Sequence, residues 1–192
     1  MNRLHRWYCR SSRWKRKLEN ELLPRSLNGI HLGDNILELG PGPGLTTDWL
    51  RHRCKGLTSI EVDFESARSL ARQTANTNII VQCGDATAMP YRDQTFSSAV
   101  ALTMLHHVPS IALQDRLFRE VYRVLRPGGV FVGTDGLPSL WMRVVHIGDT
   151  MVLVDPATFE ARLESAGFSD AKIEIRAGRF RFFARRPLEA QP

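Results

Sequence analysis

The run Ile36-Leu37-Glu38-Leu39-Gly40-Pro41-Gly42-Pro43-Gly44 constrains this chain more than any other stretch. Its apolar half, residues 35–39, reads as a short buried strand. Three glycines spaced two apart then force a sharp turn, because glycine alone enters positive φ without a steric penalty. Pro41 and Pro43 stiffen that turn, and a helical pattern over residues 45–53 follows at once. Strand, glycine turn and helix open a nucleotide-binding βαβ unit. The helix start aims free N–H groups and a positive dipole end at whatever lies against bare glycine backbone.

Further strands are expected at residues 56–62, 78–83, 96–105 and 130–134, and helices at 67–74 and 113–125. Near-continuous apolar strands alternating with helices imply a parallel sheet covered on both faces. The tail departs from that alternation. Residues 156–165 read as a helix, and 168–175 and 179–184 as two strands around a turn at Ala177-Gly178, hence an antiparallel pair. At the other end, Leu4, Trp7, Tyr8, Trp14, Leu18 and Leu22 recur at helical spacing. They predict one or two amphipathic helices over residues 2–23, ending before Pro24.

With 192 residues, 43% of them hydrophobic and 24% charged, the chain fits one domain. No apolar run approaches the roughly 20 residues of a membrane span. No signal-peptide core follows the basic N-terminus, so a cytoplasmic location is expected. Cys9, Cys54 and Cys83 form no C-x-x-C pair, and neither a disulfide framework nor a zinc site is expected. The net charge of +6 is concentrated: residues 1–17 hold seven Lys or Arg and no acid, leaving 19 basic and 20 acidic residues elsewhere. A second basic cluster comprises Arg176, Arg179, Arg181, Arg185 and Arg186. Both can bind phosphates or form solvated faces.

Four landmarks follow the glycine turn in order. Glu61 closes the second strand, 21 residues after Gly40, where a carboxylate can accept ribose hydroxyls; Asp63 is its rival. Gly84-Asp85-Ala86 follows the third strand, and Asp85 could hold an exocyclic amine or form an Asx turn. Thr103-Met104-Leu105-His106-His107-Val108 ends the fourth strand, and Leu125-Arg126-Pro127-Gly128-Gly129 precedes the fifth. This layout resembles the class I S-adenosylmethionine-dependent methyltransferases over about residues 34–135, with Glu38-x-Gly-x-Gly-x-Gly as their first motif. Leu-His-His-Val and Leu-Arg-Pro-Gly-Gly are similar to the ubiquinone/menaquinone-type subgroup.

The resemblance implies an α/β fold: a doubly wound seven-stranded sheet of order 3-2-1-4-5-7-6, strand seven antiparallel, plus the N-terminal helix. It implies S-adenosylmethionine as cofactor. Gly40, Gly42 and Gly44 would surround the methionine part, and Glu38 would orient its amino group or the turn. Glu61 and Val62 would hold the ribose, Asp85 and Ala86 the adenine, and Leu102 and Thr103 the sulfonium end. The family usually has Phe-Asp where this chain has Phe96-Ser97, so a carboxylate supporting the start of strand four is missing.

The expected organisation is a single domain: residues 1–30 a helical lid carrying Trp7 or Tyr8 toward the methionine end of the cofactor, 31–135 the cofactor half, and 136–192 the acceptor side with the hairpin. A small, fairly apolar acceptor is expected, walled by the N-terminal helix and by Pro138, Leu140, Trp141, Met142, Val144 and Val145. His106 is the candidate catalytic base. Strand neighbours point to opposite faces, so only one of His106 and His107 should reach the site. No further His, Cys or acid cluster accompanies them in sequence, and no metal is expected. The absence of Asp/Asn-Pro-Pro-Tyr argues against nucleobase amines and a nucleic-acid partner. The rivals are an RNA- or ribosome-associated methyltransferase or non-catalytic binding protein using the basic arm, and a short-chain dehydrogenase. The last would need Tyr-x-x-x-Lys, but Tyr122 is followed by Arg126, which cannot serve as that lysine does.

Overall fold

The computed structural model describes residue 9 and residues 11–189, apart from the side chain of Trp141. Trp7 and Tyr8 lie outside the described residues. Helix α1 (Ser12–Lys17) runs through a π turn, Leu18–Leu22, into α2 (Leu23–Leu27). There follow β1 (Asn35–Leu39), α3 (Leu45–Leu50), β2 (Gly56–Glu61), α4 (Phe64–Gln73), β3 (Ile79–Cys83) and β4 (Phe96–Leu102). A 3-10 turn, Leu105–His107, leads to α5 (Ile111–Val124) and β5 (Leu125–Gly136). The chain closes with α6 (Leu140–Val145), α7 (Pro156–Ser165), β6 (Ser169–Arg176) and β7 (Arg179–Arg185).

The strands form one sheet of order β3-β2-β1-β4-β5-β7-β6. β1 to β5 pair in parallel, and β7 is antiparallel to both β5 and β6. Both faces of β1, β2, β4 and β5 are buried, as their apolar runs require, whereas the edge strands β3 and β6 are largely half-buried or exposed. Along β4, Ala99 and Ala101 face a core with Leu117, Phe118, Phe131, Phe159 and Phe182, while Val100 and Leu102 face a second core. That second core holds Trp14, Leu18, Leu22, Leu23 and Leu27, so the N-terminal helices cover a sheet face.

The helical run does not stop before Pro24. The Leu23 N–H reaches back to Leu18 O across the π turn, and Pro24 falls in the first turn of α2, where a missing N–H costs nothing. The support at the start of β4 is not lost either. The Ser97 hydroxyl accepts the Asn35 N–H at 3.0 Å and lies 2.8 Å from the carbonyls of both Leu32 and Asn35, donating to one. A hydroxyl therefore ties β4 to the start of β1 where the family's carboxylate was expected. Much of the C-terminal basic cluster is also structural. Arg186 donates to the carbonyls of Tyr122, Arg123 and Leu125 at the end of α5, and Arg181 pairs with Glu174. Among the described residues, no helix is long and apolar enough to cross a membrane.

Candidate active site

The glycine turn after β1 puts three residues in the left-handed region, Gly40 at φ +61, Gly42 at +53 and Gly44 at +85, each for its own reason. A Cβ on Gly40 would sit 3.0 Å from Met104 Cβ, and one on Gly44 would collide with Leu70 Cδ1 of α4. A Cβ on Gly42 would meet no protein atom within 4 Å. Gly42 is thus bare toward open space, whereas Gly44 is bare so that two helices can approach. A cavity of about 370 Å³ opens beside this turn, bordered by Gly40 and Gly42 but not by Gly44.

Glu61, at the end of β2, borders the same cavity and is 8% exposed. One carboxylate oxygen accepts the Gly42 N–H at 3.0 Å and the other accepts the Asp63 N–H at 3.0 Å. Each oxygen keeps a second lone pair for a ligand hydroxyl. Asp63 instead caps α4, accepting from Ser66 N–H at 2.9 Å. Val62 borders the cavity and is 73% exposed. Asp85 and Ala86 border it too, and Asp85 forms an Asx turn, accepting from Thr87 N–H at 2.8 Å.

Glu38 does not border the cavity. It lies behind the turn, accepting from the hydroxyls of Thr47 at 2.7 Å and Ser59 at 2.6 Å through one oxygen. Its other oxygen is buried without a protein partner. Burial pushes its carboxyl up to about 7, the two hydroxyls oppose that, and the nearby Glu61 charge adds to it. Its hydrogen bonds thus run to α3 and β2 behind the turn.

Leu102 and Thr103 border the cavity where β4 ends. Thr103 has φ +56, costly for a β-branched residue, and is held there by its N–H bond to Thr134 O at 2.8 Å. This kink ends β4 at Leu102. His106 and His107 therefore sit on the 3-10 turn and not in a strand. His107 is the imidazole on the cavity wall, while His106 is buried behind it at 3% exposure. His106 Nδ1 lies 2.5 Å from Asp135 Oδ1, and its Nε2 lies 3.1 Å from His146 Nε2. Burial alone would raise the Asp135 carboxyl, but the charge and hydrogen bond of His106 carry it below its ordinary range. Burial lowers His146, and the neighbouring His106 lowers it further. The premise that no third histidine accompanies the pair does not survive: the chain between β5 and α7 delivers His146, 40 residues from His106.

The rest of the cavity lining is mainly apolar: Cys9, Trp14 and Leu18 come from the N-terminal segment, Leu113 and Leu117 from α5, and Met104 lies beside Gly40. Burial pushes the Cys9 thiol up to about 11, so it remains protonated. Among the described residues of the segment expected to form the acceptor wall, only Asp149 and Thr150 border the cavity; Leu140 is 78% exposed and Val145 is core. Tyr122 packs edge-on against Phe168 with ring centroids 5.4 Å apart and does not border the cavity, which leaves the dehydrogenase reading without its tyrosine.

Residues 37–133 match the family described as a methyltransferase domain. The chain belongs to that family. Among relatives of this methyltransferase domain is a sterol 4-C-methyltransferase of Caenorhabditis elegans, 30% identical over 134 residues, which are 62% of this chain and 39% of the relative. Another is the 27-O-demethylrifamycin SV methyltransferase of Amycolatopsis mediterranei, 28% identical over 159 residues, 76% of this chain and 57% of the relative. The chain thus spans less than two thirds of either relative's length. A solved chain from the complex of the Haloferax volcanii Trm112 methyltransferase activator with a methyltransferase has the same fold. Its TM-score is 0.73 at 15% identity, covering 97% of this chain and 99% of that one.

Family and fold are those of the class I S-adenosylmethionine-dependent methyltransferases. The residues present fit that cofactor. Gly42 offers bare backbone to open space, Glu61 keeps lone pairs for hydroxyls, and the cavity is within the size range of small-molecule sites.

Proposed function

We propose that the methyltransferase domain transfers the methyl group of S-adenosylmethionine to a small, largely apolar molecule by direct in-line displacement. The observation that carries this is one cavity bordered both by the glycine turn and Glu61 and by apolar side chains of the N-terminal helices and α5, Trp14, Leu18, Leu113 and Leu117. When bound, the cofactor supplies a sulfonium methyl already activated toward a nucleophile. The chain's part is then positioning and exclusion of water. Gly40 and Gly42 receive the methionine portion, with Gly44 setting the turn they belong to. Glu61 accepts the ribose hydroxyls beside Val62. Asp85 and the Ala86 backbone flank the adenine, and Leu102 and Thr103 face the sulfonium end. His106 serves by positioning His107, the imidazole that reaches the cavity. Residues 1–30 act as a lid, with Trp14 and Leu18 closing the apolar wall. The substrates for which the two relatives are named, a sterol and a rifamycin, are of the chemical class such a lining suits.

Incubation with methyl-labelled S-adenosylmethionine and a panel of sterols, polyketides and phenols tests the reading, with total RNA in parallel. Label extracted with an organic acceptor supports it. Label confined to RNA would favour the rival that uses the exposed Arg13, Arg16 and Lys17 of α1. Label in neither, with no affinity for S-adenosylhomocysteine, would sink both.

A further inference from the structure

We propose that His106, His107 and His146 form a binding site for one divalent transition-metal ion of the zinc type, with an open coordination position facing the cavity. The three imidazoles offer one ligand atom each, all within 4.8 Å of one another. Their ring centroids are 4.2, 4.9 and 5.1 Å apart.

The tautomers follow from the outer nitrogens. His106 Nδ1 faces the Asp135 carboxylate, which accepts only, and His146 Nδ1 faces the Met142 carbonyl at 2.7 Å, which also accepts only. Both Nδ1 atoms therefore carry hydrogen. The two neutral rings then point their Nε2 lone pairs at each other across 3.1 Å. Something positive must lie between them, either one extra proton or a cation. A proton between the two Nε2 atoms engages two of the three imidazoles. A metal ion accounts for all three.

The dimensions agree. At a metal–nitrogen bond of about 2.0–2.1 Å, two nitrogens 3.1 Å apart subtend roughly 100° at the ion, close to tetrahedral. The widest pair must involve His107 and, at no more than 4.8 Å, needs to close by at most about 1.7 Å to reach the same bite. His107 is half-buried on a 3-10 turn at the cavity wall and can make that adjustment by rotating its side chain. The outer bonds of His106 and His146, to a carboxylate and a backbone carbonyl, are the arrangement that fixes ring orientation in metal sites and raises ligand basicity. Imidazole donors suit zinc, nickel, copper or iron. Three protein ligands leave a fourth position for water or a ligand.

His107 brings that position to the cavity, and Asp149, whose charge acts on His146, borders the cavity as well. The fourth position would then take an anionic oxygen or sulfur atom of the methyl acceptor. That last clause rests on the proposed methyl transfer, whereas metal binding does not.

The test uses the whole chain, stripped with a chelator and free of cofactor and acceptor, titrated with Zn2+ by calorimetry and with Co2+ by visible absorption. One equivalent should bind with a Kd in the micromolar range or tighter, and Co2+ should show the strong bands of a tetrahedral nitrogen site. His146→Ala and His107→Ala should each weaken binding at least 100-fold, and Asp135→Asn roughly 10- to 100-fold. Cooperative thermal unfolding shows which variants are folded, and the half-buried His107 keeps at least one variant informative. No stoichiometric uptake by the unmutated chain would leave only a shared proton and overturn the site. So would equal affinity in a folded His107→Ala or His146→Ala variant. Because no cofactor is present, failure of methyl transfer leaves this outcome untouched, and the reverse also holds.

Discussion

Glu38 should make this fold lose stability as the solution becomes more alkaline, opposite to the usual behaviour of a carboxylate held by partners. Its carboxyl is raised from 4.5 to about 7 because burial disfavours the charge more than the Thr47 and Ser59 hydroxyls favour it. A carboxyl raised on folding binds its proton more tightly in the native state. Its stabilising contribution is therefore complete below about pH 4.5 and is lost as pH rises through about 7. Each tenfold change in proton affinity is about 1.4 kcal/mol, so between pH 5 and pH 8 the native state should lose about 2.5 kcal/mol through this residue alone. Glu38→Gln keeps the shape and one acceptor oxygen but cannot ionise. Urea unfolding of both chains at several values from pH 5 to pH 8 isolates the effect, since other titrating groups contribute to both curves. The variant begins with a fixed offset, because its amide nitrogen replaces the oxygen that has no protein partner. The prediction concerns the slope: the difference should move by about 2.5 kcal/mol in the variant's favour toward pH 8. Parallel curves would mean that Glu38 ionises in the fold as readily as out of it, and the argument from burial would fail.

Glu61→Ala should weaken binding of S-adenosylhomocysteine by about 2–3 kcal/mol in calorimetry, since charge-assisted bonds to hydroxyls are strong. Asp63→Ala should leave that affinity nearly unchanged and instead cost about 1 kcal/mol of unfolding free energy, as lost helix caps do. Gly44→Ala should destabilise the fold by roughly 2–4 kcal/mol, through its positive φ and the collision with Leu70, whereas Gly42→Ala carries only the backbone cost of about 1–2 kcal/mol. Gly42→Ala should nonetheless weaken the cofactor product more than its stability cost suggests, because its methyl group enters the cavity. For the lid, hydrogen exchange over residues 11–22 should be fast without ligand and slow with S-adenosylhomocysteine; equal protection in both states would make α1 a fixed wall.

The sheet was legible in the sequence because parallel strands buried on both faces write themselves as apolar runs, and the turn residues between them are local. The antiparallel tail was legible from the local turn at Ala177-Gly178 between two short strands. The histidines were not. An extended reading through residue 105 is natural for Thr103-Met104-Leu105, and nothing in a β-branched residue announces positive φ. The meeting of His106 with His146 depends on where a whole connection returns to the sheet, which no local pattern carries. Ser97 shows the converse. Its departure from the expected carboxylate was visible, but that a hydroxyl could reach both Asn35 and Leu32 depends on the register of β4 against β1. The apolar lining of the cavity was half legible: the N-terminal helix pattern marked Trp14 and Leu18, while in α6 Leu140 faces solvent and Val145 the core.

The kink at Thr103 bears on how this protein would respond to engineering for heat resistance. Asparagine tolerates the left-handed region better than a β-branched side chain does, so Thr103→Asn is a change that a search for stability alone would accept. Yet the strain sits at the cavity, where the threonine side chain and the turn it begins aim Met104 at Gly40 and bring His107 to the wall. Relaxing it would trade a sharply set corner for a softer one. Thermostable variants of this chain are therefore better sought at the solvent-facing helices and loops, with position 103 held fixed.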